Sequence, residues 1–547
     1  MTTSTLDVPK TQHAVQLIGP GELKLNPSKP VPIPGPYEIL VKVEAVGLCF
    51  SDLKLLKQFH NHARKSEIVA GIEKSILEGM QSYLPGSAPV VPGHEVVCRI
   101  IAVGDKVKKH KVGERCLVQT DYRQFPTAAG SNAAFGYNFD GGLQEYTLLD
   151  ERIVIAPNGD RFLIPVGEEK SASAIALVEP WACVEDSYLT VERQHIKSGG
   201  RLAIVSTDDA TGRVKQCWQA TGEPAEVRSI KPADAASLPN ESLDDIVYFG
   251  SDRATIEILN DKLTAGGIIN LVLGGQRIGE PASVGVGRVH YGGTRWIGTT
   301  GSDPTQAYRN IPATGEVRAR DRVLVVGAGG PMGQMHVIRD VCSRAGGVSV
   351  VGTDLDDTRL ETLRKKAEPL ARANRASLRL VNTQKNPLQE KFTYFALMAP
   401  VGALIASAIG DADEGALINI FAGIPAPTKH ALDLDAYIAK RCYMFGTSGS
   451  TIEDMRIVLK KVEQDGFDTN ASVDAISGMA GAIDGIASVE NRTLAGKIIV
   501  YPMLHDVGLI PLIELDKRFP TVAAKLDGTK WTRAAEDELL RVARPRN

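Results

Sequence analysis

The sequence has few cysteines, and they do not cluster. The seven cysteines are scattered, their number is odd, and no C-x-x-C pair occurs. Small domains that depend on disulfides carry an even number of closely spaced cysteines. The pattern therefore excludes a disulfide framework, and we expect the chain to reside in a reducing cytoplasm.

Long apolar runs and an excess of charge of one sign are also missing. No run of about 18 apolar residues occurs, and the polar start MTTSTLDVPKTQH lacks the pattern of a signal peptide. The 62 basic and 65 acidic residues give a net charge of −3, and the pI is about 6.4. Proteins that bind nucleic acid or membrane surfaces need a basic face, so we expect no nucleic acid and no membrane as partners.

The chain does contain enough apolar material to build large cores. It is 43% hydrophobic, with a mean hydropathy of −0.08, which is typical of globular proteins. Its 547 residues suggest about three domains of ~150 residues each.

A strand, a glycine-rich loop and a helical pattern follow one another within Arg322–His336. Val323–Val326 has the β-branched and aliphatic residues of a buried parallel strand. This layout sets backbone N–H groups and the positive end of a helix against a pyrophosphate. About twenty residues further on, a second strand ends in an acid that can bond an adenosine ribose hydroxyl. The predicted nucleotide-binding residues are Gly327, Gly329, Gly330, Pro331, Met332, Gly333 and Asp354.

The glycine spacing departs from the common G-x-G-x-x-G pattern. Gly327, Gly329 and Gly333 give G-x-G-x-x-x-G. The alternative interpretation is a tight strand-to-helix turn that binds no ligand.

Five motifs occur in a fixed order before this loop. They are G-x-C-x-S-D at 47–52, P-G-H-E at 92–95, V-G-D-x-V-x-x-x-x-V-G-E-R at 103–115, D-G-G-L-Q-E-Y at 140–146 and E-P-x-A-C at 179–183. In this order, and ahead of a Rossmann strand, they resemble the zinc-dependent medium-chain dehydrogenases. The Glu-Pro form and the PMGQMH run are most similar to the polyol and sugar-phosphate branch, which includes L-sorbose-1-phosphate reductase-like proteins.

The resemblance implies one catalytic zinc. Such a site needs three protein ligands and an open position, and Cys49, His94 and either Glu179 or Glu95 offer them. In the family, the residue matching Ser51 relays the alcohol proton, and the acid matching Asp52 orients the site. Taken alone, Cys49 would more often be a small buried hydrophobe, and His94 a hydrogen-bonded structural residue.

Two features depart from the family pattern. Many relatives carry a four-cysteine lobe for a structural zinc, whereas residues 121–139 contain no cysteine, so we predict no structural zinc. The second departure is an insertion over residues 53–90. We predict a helix there, capped by Ser66, that packs over the active-site mouth. Its apolar face would consist of Ile68, Ile72, Ile76 and Met80.

The insertion also carries a basic turn immediately before this predicted helix. The turn could hold a phosphate or several hydroxyls, or it could be a solvated surface turn. Its residues are His60, His62, Arg64 and Lys65.

The second half of the chain contains similar segments in the same order. RLAIVS (201–206) resembles RVLVVG (322–327), and GGIINLVLGG (266–275) resembles GALINIFAGI (415–424). We infer a duplicated Rossmann unit, although Rossmann strands also resemble one another by chance. The first copy has two acids, Asp208 and Asp209, where the glycine loop belongs, and these would repel a pyrophosphate.

These observations predict an α/β protein with a GroES-like β-rich catalytic domain and two doubly wound Rossmann-like units, the first degenerate. We expect the catalytic domain at 1–190, the degenerate unit at 191–312, and the NAD(P)-binding unit at 313–502. Residues 503–547 would pack back on the catalytic domain. The oligomeric state stays open: the chain could form a homodimer, or the duplication could replace the joint between two Rossmann sheets.

The predicted function is hydride transfer between NAD(P) and a polyol, sugar or sugar phosphate. Asp354 favours NAD, because its carboxylate would repel a 2′-phosphate; Arg359 lies nearby and keeps NADP as the alternative. A redox-neutral epimerase or lyase with tightly bound NAD would use the same residues. A nucleotide-binding scaffold with a dead site is the third hypothesis.

Overall fold

The computed structural model describes residues 8–464 and 466–544, so the first seven residues of the polar N-terminal segment lie outside the described residues. The chain divides into two compact units, Met1–Cys183 with Ser450–Asn547 and Val184–Gly449. Within the described ranges, each helix is too short or too polar to cross a membrane.

The first unit is built around an eight-stranded sheet. Its central strand, Glu38–Gly47, alternates apolar and polar residues and pairs on both sides. The other strands are Ile510–Pro511, Val473–Ser477, Lys497–Val500, Glu95–Val103, Arg115–Val118, Leu163–Pro165 and Tyr146–Asp150. Two hairpins accompany the sheet, Thr11–Gly19 with Glu22–Pro30 and Asp121–Pro126 with Asn132–Ala134.

Short helices flank this sheet. Val178–Leu189 begins in the first unit and runs into the second. The remaining α-helices of the first unit are Phe50–Gln58, Lys74–Glu78, Glu151–Val154, Ala172–Ala176, Ile452–Glu463, Ala482–Asn491, Leu515–Arg518, Pro520–Ala523 and Arg533–Ala543.

Residues 450–502 lie in the first unit and not with the nucleotide loop, which differs from the predicted boundary. The reason is strand pairing: Val500 pairs with Val46, so Lys497–Val500 extends the sheet of the first unit. The last helix belongs there too. The Glu536 carboxylate accepts hydrogen bonds from the backbone N–H groups of Ala172 and Ser173 at 2.5 and 2.9 Å, which caps the helix Ala172–Ala176.

The helix predicted from Ser66 to Met80 is wrong, because only Lys74–Glu78 is helical. Ser66 ends a short 3-10 turn instead of starting a helix. Gly71 has φ +90°, which a right-handed helix excludes, and a Cβ there would lie 2.4 Å from the Gln124 carbonyl oxygen. The apolar residues of this segment are spaced as in a helix, but its backbone is not continuously helical.

The second unit contains two parallel sheets. The larger has the order Ser377–Asn382, Ser349–Asp354, Arg322–Val326, Phe392–Leu397, Ala412–Ile420 and Tyr443–Phe445. In chain order this is 3-2-1-4-5-6, the dinucleotide-binding arrangement. The smaller sheet has the order Glu226–Ile230, Arg201–Val205, Leu243–Phe249, Leu263–Val272 and Arg295–Thr299, which is the same order without the third strand. The predicted fold class is confirmed.

Helices cover these sheets in both halves of the unit. Pro331–Val341 follows the glycine-rich loop, and Asp357–Ala373 follows the next strand. The others are Thr211–Lys215, Arg253–Asn260, Val286–Tyr291, Thr305–Arg309, Gly402–Asp411 and Leu434–Ala439.

The two sheets share an irregularity that a chance likeness would not produce. In the smaller sheet, pairing jumps from Leu243–Leu263 to Asp245–Ile268. In the larger, it jumps from Phe392–Ala412 to Tyr394–Leu417, the same offset in the corresponding strands. The repeated insertion supports a duplication.

The edge strands of the two sheets are tied together by side chains. Glu192 accepts from Arg295 on one edge strand at 2.8 Å and from Tyr443 on the other at 2.5 Å. The Tyr437 hydroxyl donates to the Trp296 carbonyl at 2.8 Å. An antiparallel ribbon of Ala282–Val284 and His430–Leu432 adds one strand from each half, so the two halves form one body.

Candidate active site

Cys49 lies where the central strand of the first unit passes into a helix. It is the N-cap of Phe50–Gln58, and its backbone N–H donates to Asp52 Oδ2 at 3.1 Å. The strand-to-helix turn therefore presents a sulfur, a metal-binding atom, at the N-terminal end of the helix.

His94 is held between Asp52 and Ser51. Its Nδ1 lies 3.0 Å from Asp52 Oδ1, and its Nε2 lies 3.1 Å from Ser51 Oγ. Burial lowers the pKa of His94, but the Asp52 carboxylate outweighs burial and holds that pKa well above its ordinary value. An acid on one imidazole nitrogen leaves the other as the metal-binding atom, which is the usual arrangement of metal-ligating histidines.

Ser51 contacts both sulfur and imidazole. Its hydroxyl lies 3.0 Å from Cys49 Sγ and hydrogen-bonds Tyr137 as well. The hydroxyl is thus placed beside the two donor atoms and next to a buried phenol whose pKa burial raises. A serine at this point is in a position to pass a proton.

Glu95 lies opposite Gly47 on the neighbouring strand and forms a buried ion pair with Lys497. Lys497 Nζ lies 2.5 Å from Glu95 Oε1 and 2.7 Å from the Leu48 carbonyl. A Cβ on Gly47 would lie 2.0 Å from Glu95 Oε2, so the glycine of the first motif makes room for this carboxylate. Glu95 Oε2 itself is buried and has no hydrogen-bond partner.

Glu179 is buried in the first turn of Val178–Leu189. Burial raises its pKa to about 7, with His94 lowering it and Glu95 raising it. The donor atoms of Cys49, His94 and Glu95 all lie within 4.8 Å of one another. The structure thus brings three predicted ligands together and leaves Glu179 beside them.

A catalytic zinc fits this donor set. A thiolate, an imidazole and a carboxylate are the ligand types that zinc takes, and three protein ligands leave one position open. The orphaned Glu95 oxygen also fits, because a buried carboxylate oxygen without a hydrogen-bond donor is satisfied by a cation.

The basic turn predicted in the insertion splits into two parts. His62 and Arg64 both lie against Tyr137, at 5.1 Å between rings and 5.6 Å from the guanidinium carbon to the ring centre. Burial, followed by Arg64, lowers the pKa of His62 to about 4. Lys65 points elsewhere: it is fully buried and donates to the Leu84 carbonyl at 2.5 Å. Of these three side chains, His62 and Arg64 flank the candidate centre; the fourth predicted residue, His60, is exposed.

The nucleotide loop satisfies three steric demands despite its spacing. Gly327 has φ +83°, and a Cβ on Gly333 would lie 2.1 Å from the Gly327 carbonyl oxygen. The Gly329 N–H donates to Asp354 Oδ2 at 2.8 Å, and a Cβ on Gly329 would lie 2.7 Å from that oxygen. Gly330 is the N-cap of the helix that Pro331 begins. Turn, close approach and helix packing each require the glycine found there.

In the first half of the second unit, the corresponding loop follows the strand Arg201–Val205 and contains a charged pair. Asp208 accepts from Ser206 Oγ at 2.5 Å and from Arg213 at 2.9 Å. A carboxylate thus lies in the loop that follows the first strand of this sheet, where the second half has glycines.

Two site residues were missed by sequence reasoning. Lys497 is in the segment GKIIVYP, and a lysine at the start of an apolar strand was the available signal. Tyr137 comes from the segment without cysteine, where nothing in the sequence indicates a role. Its proximity to His94, 5.8 Å between ring centres, arises only from the tertiary fold.

Parts of the chain are similar to known proteins. Residues 35–158 match the alcohol dehydrogenase GroES-like domain. An uncharacterized zinc-type alcohol dehydrogenase-like protein of Escherichia coli (strain K12) is 29% identical over 157 residues, which cover 27% of this chain and 40% of that protein. Sorbitol dehydrogenase of Halalkalibacterium halodurans is 28% identical over 206 residues, or 36% of this chain and 48% of the enzyme. The chain thus spans less than half of these relatives.

The structure also resembles 2R,3R-butanediol dehydrogenase from Bacillus subtilis. The TM-score is 0.50 at 15% identity, over 90% of this chain and all of the other, and this likeness concerns the fold. The chain thus contains an alcohol dehydrogenase GroES-like domain over residues 35–158 and is similar to zinc-type alcohol and sorbitol dehydrogenases.

Proposed function

We propose that the protein is a zinc-dependent oxidoreductase that transfers a hydride between NAD(P) and a polyol, sugar or sugar phosphate. The observation that carries the proposal is the arrangement of Cys49, His94 and Glu95, whose donor atoms lie within 4.8 Å of one another, with Asp52 orienting the imidazole. Glu179 is proposed as a fourth, exchangeable carboxylate beside them.

Bound zinc would polarise the reacting oxygen and lower the pKa of a substrate alcohol. The side chains of the protein would orient the zinc ligands and carry the proton. Asp52 fixes the His94 ring, and the Lys497 ammonium holds Glu95 in its buried position. Ser51 accepts the alcohol proton at Oγ, and Tyr137, hydrogen-bonded to it, continues the path. Ser51 and Tyr137 thus form a hydrogen-bonded pair along which a proton can move.

We propose that the second Rossmann copy binds the nucleotide, because Gly327, Gly329 and Gly333 leave room for it in the loop. In the first copy, Asp208 and its partner Arg213 occupy the loop. Asp354 and Arg359 both border the loop: a Cβ on Gly329 would lie 2.7 Å from Asp354 Oδ2 and 2.8 Å from Arg359 Cβ. NAD is the proposed cofactor and NADP the alternative.

The deciding experiment is a panel of polyols, sugars and their phosphates, offered with NAD and with NADP to the zinc-loaded protein. We expect NADH to accumulate with at least one substrate class, and we expect Cys49→Ser to abolish the activity while Cys342→Ser, a thiol in the second unit, retains it. Turnover by Cys49→Ser at the wild-type rate would overturn the proposal.

A redox-neutral reaction is the second candidate, since the same residues could oxidise a sugar hydroxyl transiently and return the hydride to the product. It predicts substrate conversion with no net accumulation of NADH and copurified nucleotide. A scaffold without catalysis predicts neither, and it is disfavoured by the joint presence of Cys49, Ser51, His94 and Glu95 in one cluster.

A further inference from the structure

A second group of metal-binding side chains lies in the first unit, apart from Cys49 and His94. The donor atoms of His13, Glu145 and His505 lie within 4.8 Å of one another. Two imidazoles and one carboxylate form a known zinc ligand set. The three residues lie far apart in the sequence. His13 belongs to the N-terminal hairpin, Glu145 to the D-G-G-L-Q-E-Y motif, and His505 to the loop after the strand Lys497–Val500.

Both imidazoles face the same carboxylate. His505 Nε2 lies 2.9 Å from Glu145 Oε1, and His13 Nδ1 lies 3.6 Å from Glu145 Oε2. The second separation is too long for a hydrogen bond. It matches the spacing between two ligands on one tetrahedral zinc, which is about 3.4 Å for metal–ligand bonds of ~2.1 Å. The geometry therefore suits a shared cation better than a second hydrogen bond.

The two rings stack on each other, with centroids 3.8 Å apart and planes inclined by 24°. One imidazole hydrogen-bonds Glu145 and the other lies against the face of the first, so both side chains are held beside the same carboxylate.

Each ligand is held in place through its backbone. The His13 N–H donates to Glu145 Oε2 at 2.7 Å, which fixes the carboxylate. The Ala480 N–H donates to the His505 carbonyl at 3.0 Å. The pairing of the N-terminal hairpin is irregular between Gln12 and Ala14, so His13 lies at a bulge, a feature that redirects a side chain. Pre-positioned ligands of this kind favour metal binding.

The side chains also differ in exposure in a way that suits a bound ion. Glu145 is 5% exposed, whereas His13 and His505 are 25% and 28% exposed. The carboxylate is anchored inside, and the imidazoles leave the site open to solvent, so an ion can enter without unfolding the unit.

We propose that His13, Glu145 and His505 form a second zinc site that ties the N-terminal hairpin to the C-terminal segment of the first unit. The site is independent of the proposed dehydrogenase chemistry. It differs from the single zinc that the sequence predicts, and it lies outside the segment where relatives place a structural zinc. Its role is stabilisation, because a ligand that binds only the folded state raises the free energy of unfolding.

The test is zinc stoichiometry of the full chain, measured by mass spectrometry of the metal after loading with Zn²⁺ and desalting. We expect wild type to hold two equivalents, and His13→Ala and His505→Ala to lose one each while keeping the Cys49 equivalent. His430→Ala removes a half-buried imidazole from the other unit and should retain both. Equal zinc content in wild type and His505→Ala would overturn the proposal.

Cobalt separates the two sites by their spectra. Cobalt bound by Cys49 gives a thiolate-to-metal charge-transfer band, whereas the histidine and carboxylate set gives only visible d–d bands. In Cys49→Ser the d–d bands should persist, and adding His505→Ala should remove them. Absence of cobalt bands in Cys49→Ser would contradict the second site, and persistence of the charge-transfer band in Cys49→Ser would instead contradict the proposed catalytic centre.

Thermal unfolding tests whether zinc at the second site stabilises the protein. Zinc should raise the unfolding temperature of Cys49→Ser, and this shift should vanish when His505→Ala is added. Circular dichroism of the metal-free variants checks that the fold is retained. A zinc-dependent shift that survives His505→Ala would overturn the stabilising role.

Discussion

The Lys497 ammonium lies 2.5 Å from Glu95 Oε1, and both side chains are almost completely buried. The pair joins the strand Lys497–Val500, in the eight-stranded sheet of the first unit, to the P-G-H-E motif that carries His94. A second bond from Lys497 to the Leu48 carbonyl fixes the residue preceding Cys49. One lysine thus supports two of the three candidate zinc ligands.

Replacement of Lys497 by methionine should be strongly destabilising, because it leaves the Glu95 carboxylate buried without a partner. We expect a loss of about 3–5 kcal/mol in the free energy of unfolding of the metal-free protein, measured by denaturant titration. Lys517→Met removes an exposed ion pair with Glu514 and should cost at most about 1 kcal/mol. Equal effects of the two substitutions would refute the buried-pair argument.

Asp52→Asn should weaken zinc binding without removing a ligand. The amide cannot hold the His94 ring as the carboxylate does, and losing such a partner typically costs about 10- to 100-fold in metal affinity. Competition with a chromophoric chelator measures the change. Asp105→Asn, at an exposed turn, should leave the affinity unchanged; an unaltered affinity in Asp52→Asn would argue against the assigned role.

Gly333→Ala should impair nucleotide binding, because its methyl group would meet the Gly327 carbonyl at 2.1 Å and push the helix away from the loop. We expect a destabilisation of about 1–3 kcal/mol together with weaker NADH binding, followed by fluorescence. Gly410→Ala is the matched control, since it also lies in a helix of the second unit and a Cβ there meets nothing within 4 Å. Tight NADH binding by Gly333→Ala would disprove the assignment of the loop.

Arg64→Ala tests whether the substrate is phosphorylated. The guanidinium lies over Tyr137 and pairs loosely with Asp121 at 3.5 Å, so it can contact an anionic substituent near the candidate centre. A lost charge-assisted hydrogen bond costs about 1.5–3 kcal/mol, which is roughly 10- to 100-fold in kcat/KM. We expect that loss for sugar phosphates and not for the parent sugars. Arg123→Ala, whose side chain pairs with the same aspartate, should spare both; parallel losses for both substrate types would exclude phosphate recognition by Arg64.

Lys65 should make stability depend on alkaline pH. Burial lowers its pKa to about 8, so between about pH 8 and pH 10 the unfolded chain binds a proton that the folded chain has released. The contribution of Lys65 to the free energy of unfolding therefore rises with pH in this window, by up to about 1.4 kcal/mol per pH unit. The free energy of unfolding of wild type minus that of Lys65→Met should rise accordingly. The difference between wild type and the exposed variant Lys74→Met should stay constant, and a constant difference for Lys65→Met would contradict the lowered pKa of Lys65.

How far the sequence predicts this protein depends on whether the signal is local. Strand, glycine loop and helix at 322–341 follow from neighbouring residues, because β-branched runs, glycines and a helix-initiating proline act within a few positions. The insertion behaved differently. Ile68 and Met80 became buried as their periodicity indicates, but Gly71 broke the backbone, and contacts with Gln124 and Pro126 set its path instead.

The sequence by itself determined the order of the motifs, the α/β class and the nature of the candidate ligands Cys49, His94 and Glu95, because chain order and side-chain chemistry are local properties. Only the tertiary structure decided which carboxylate lies within reach of the cysteine and histidine. It also supplied Lys497 and Tyr137, and it assembled His13, Glu145 and His505 from three distant segments. Strand pairing and packing bring such residues together, and no spacing along the chain encodes the result.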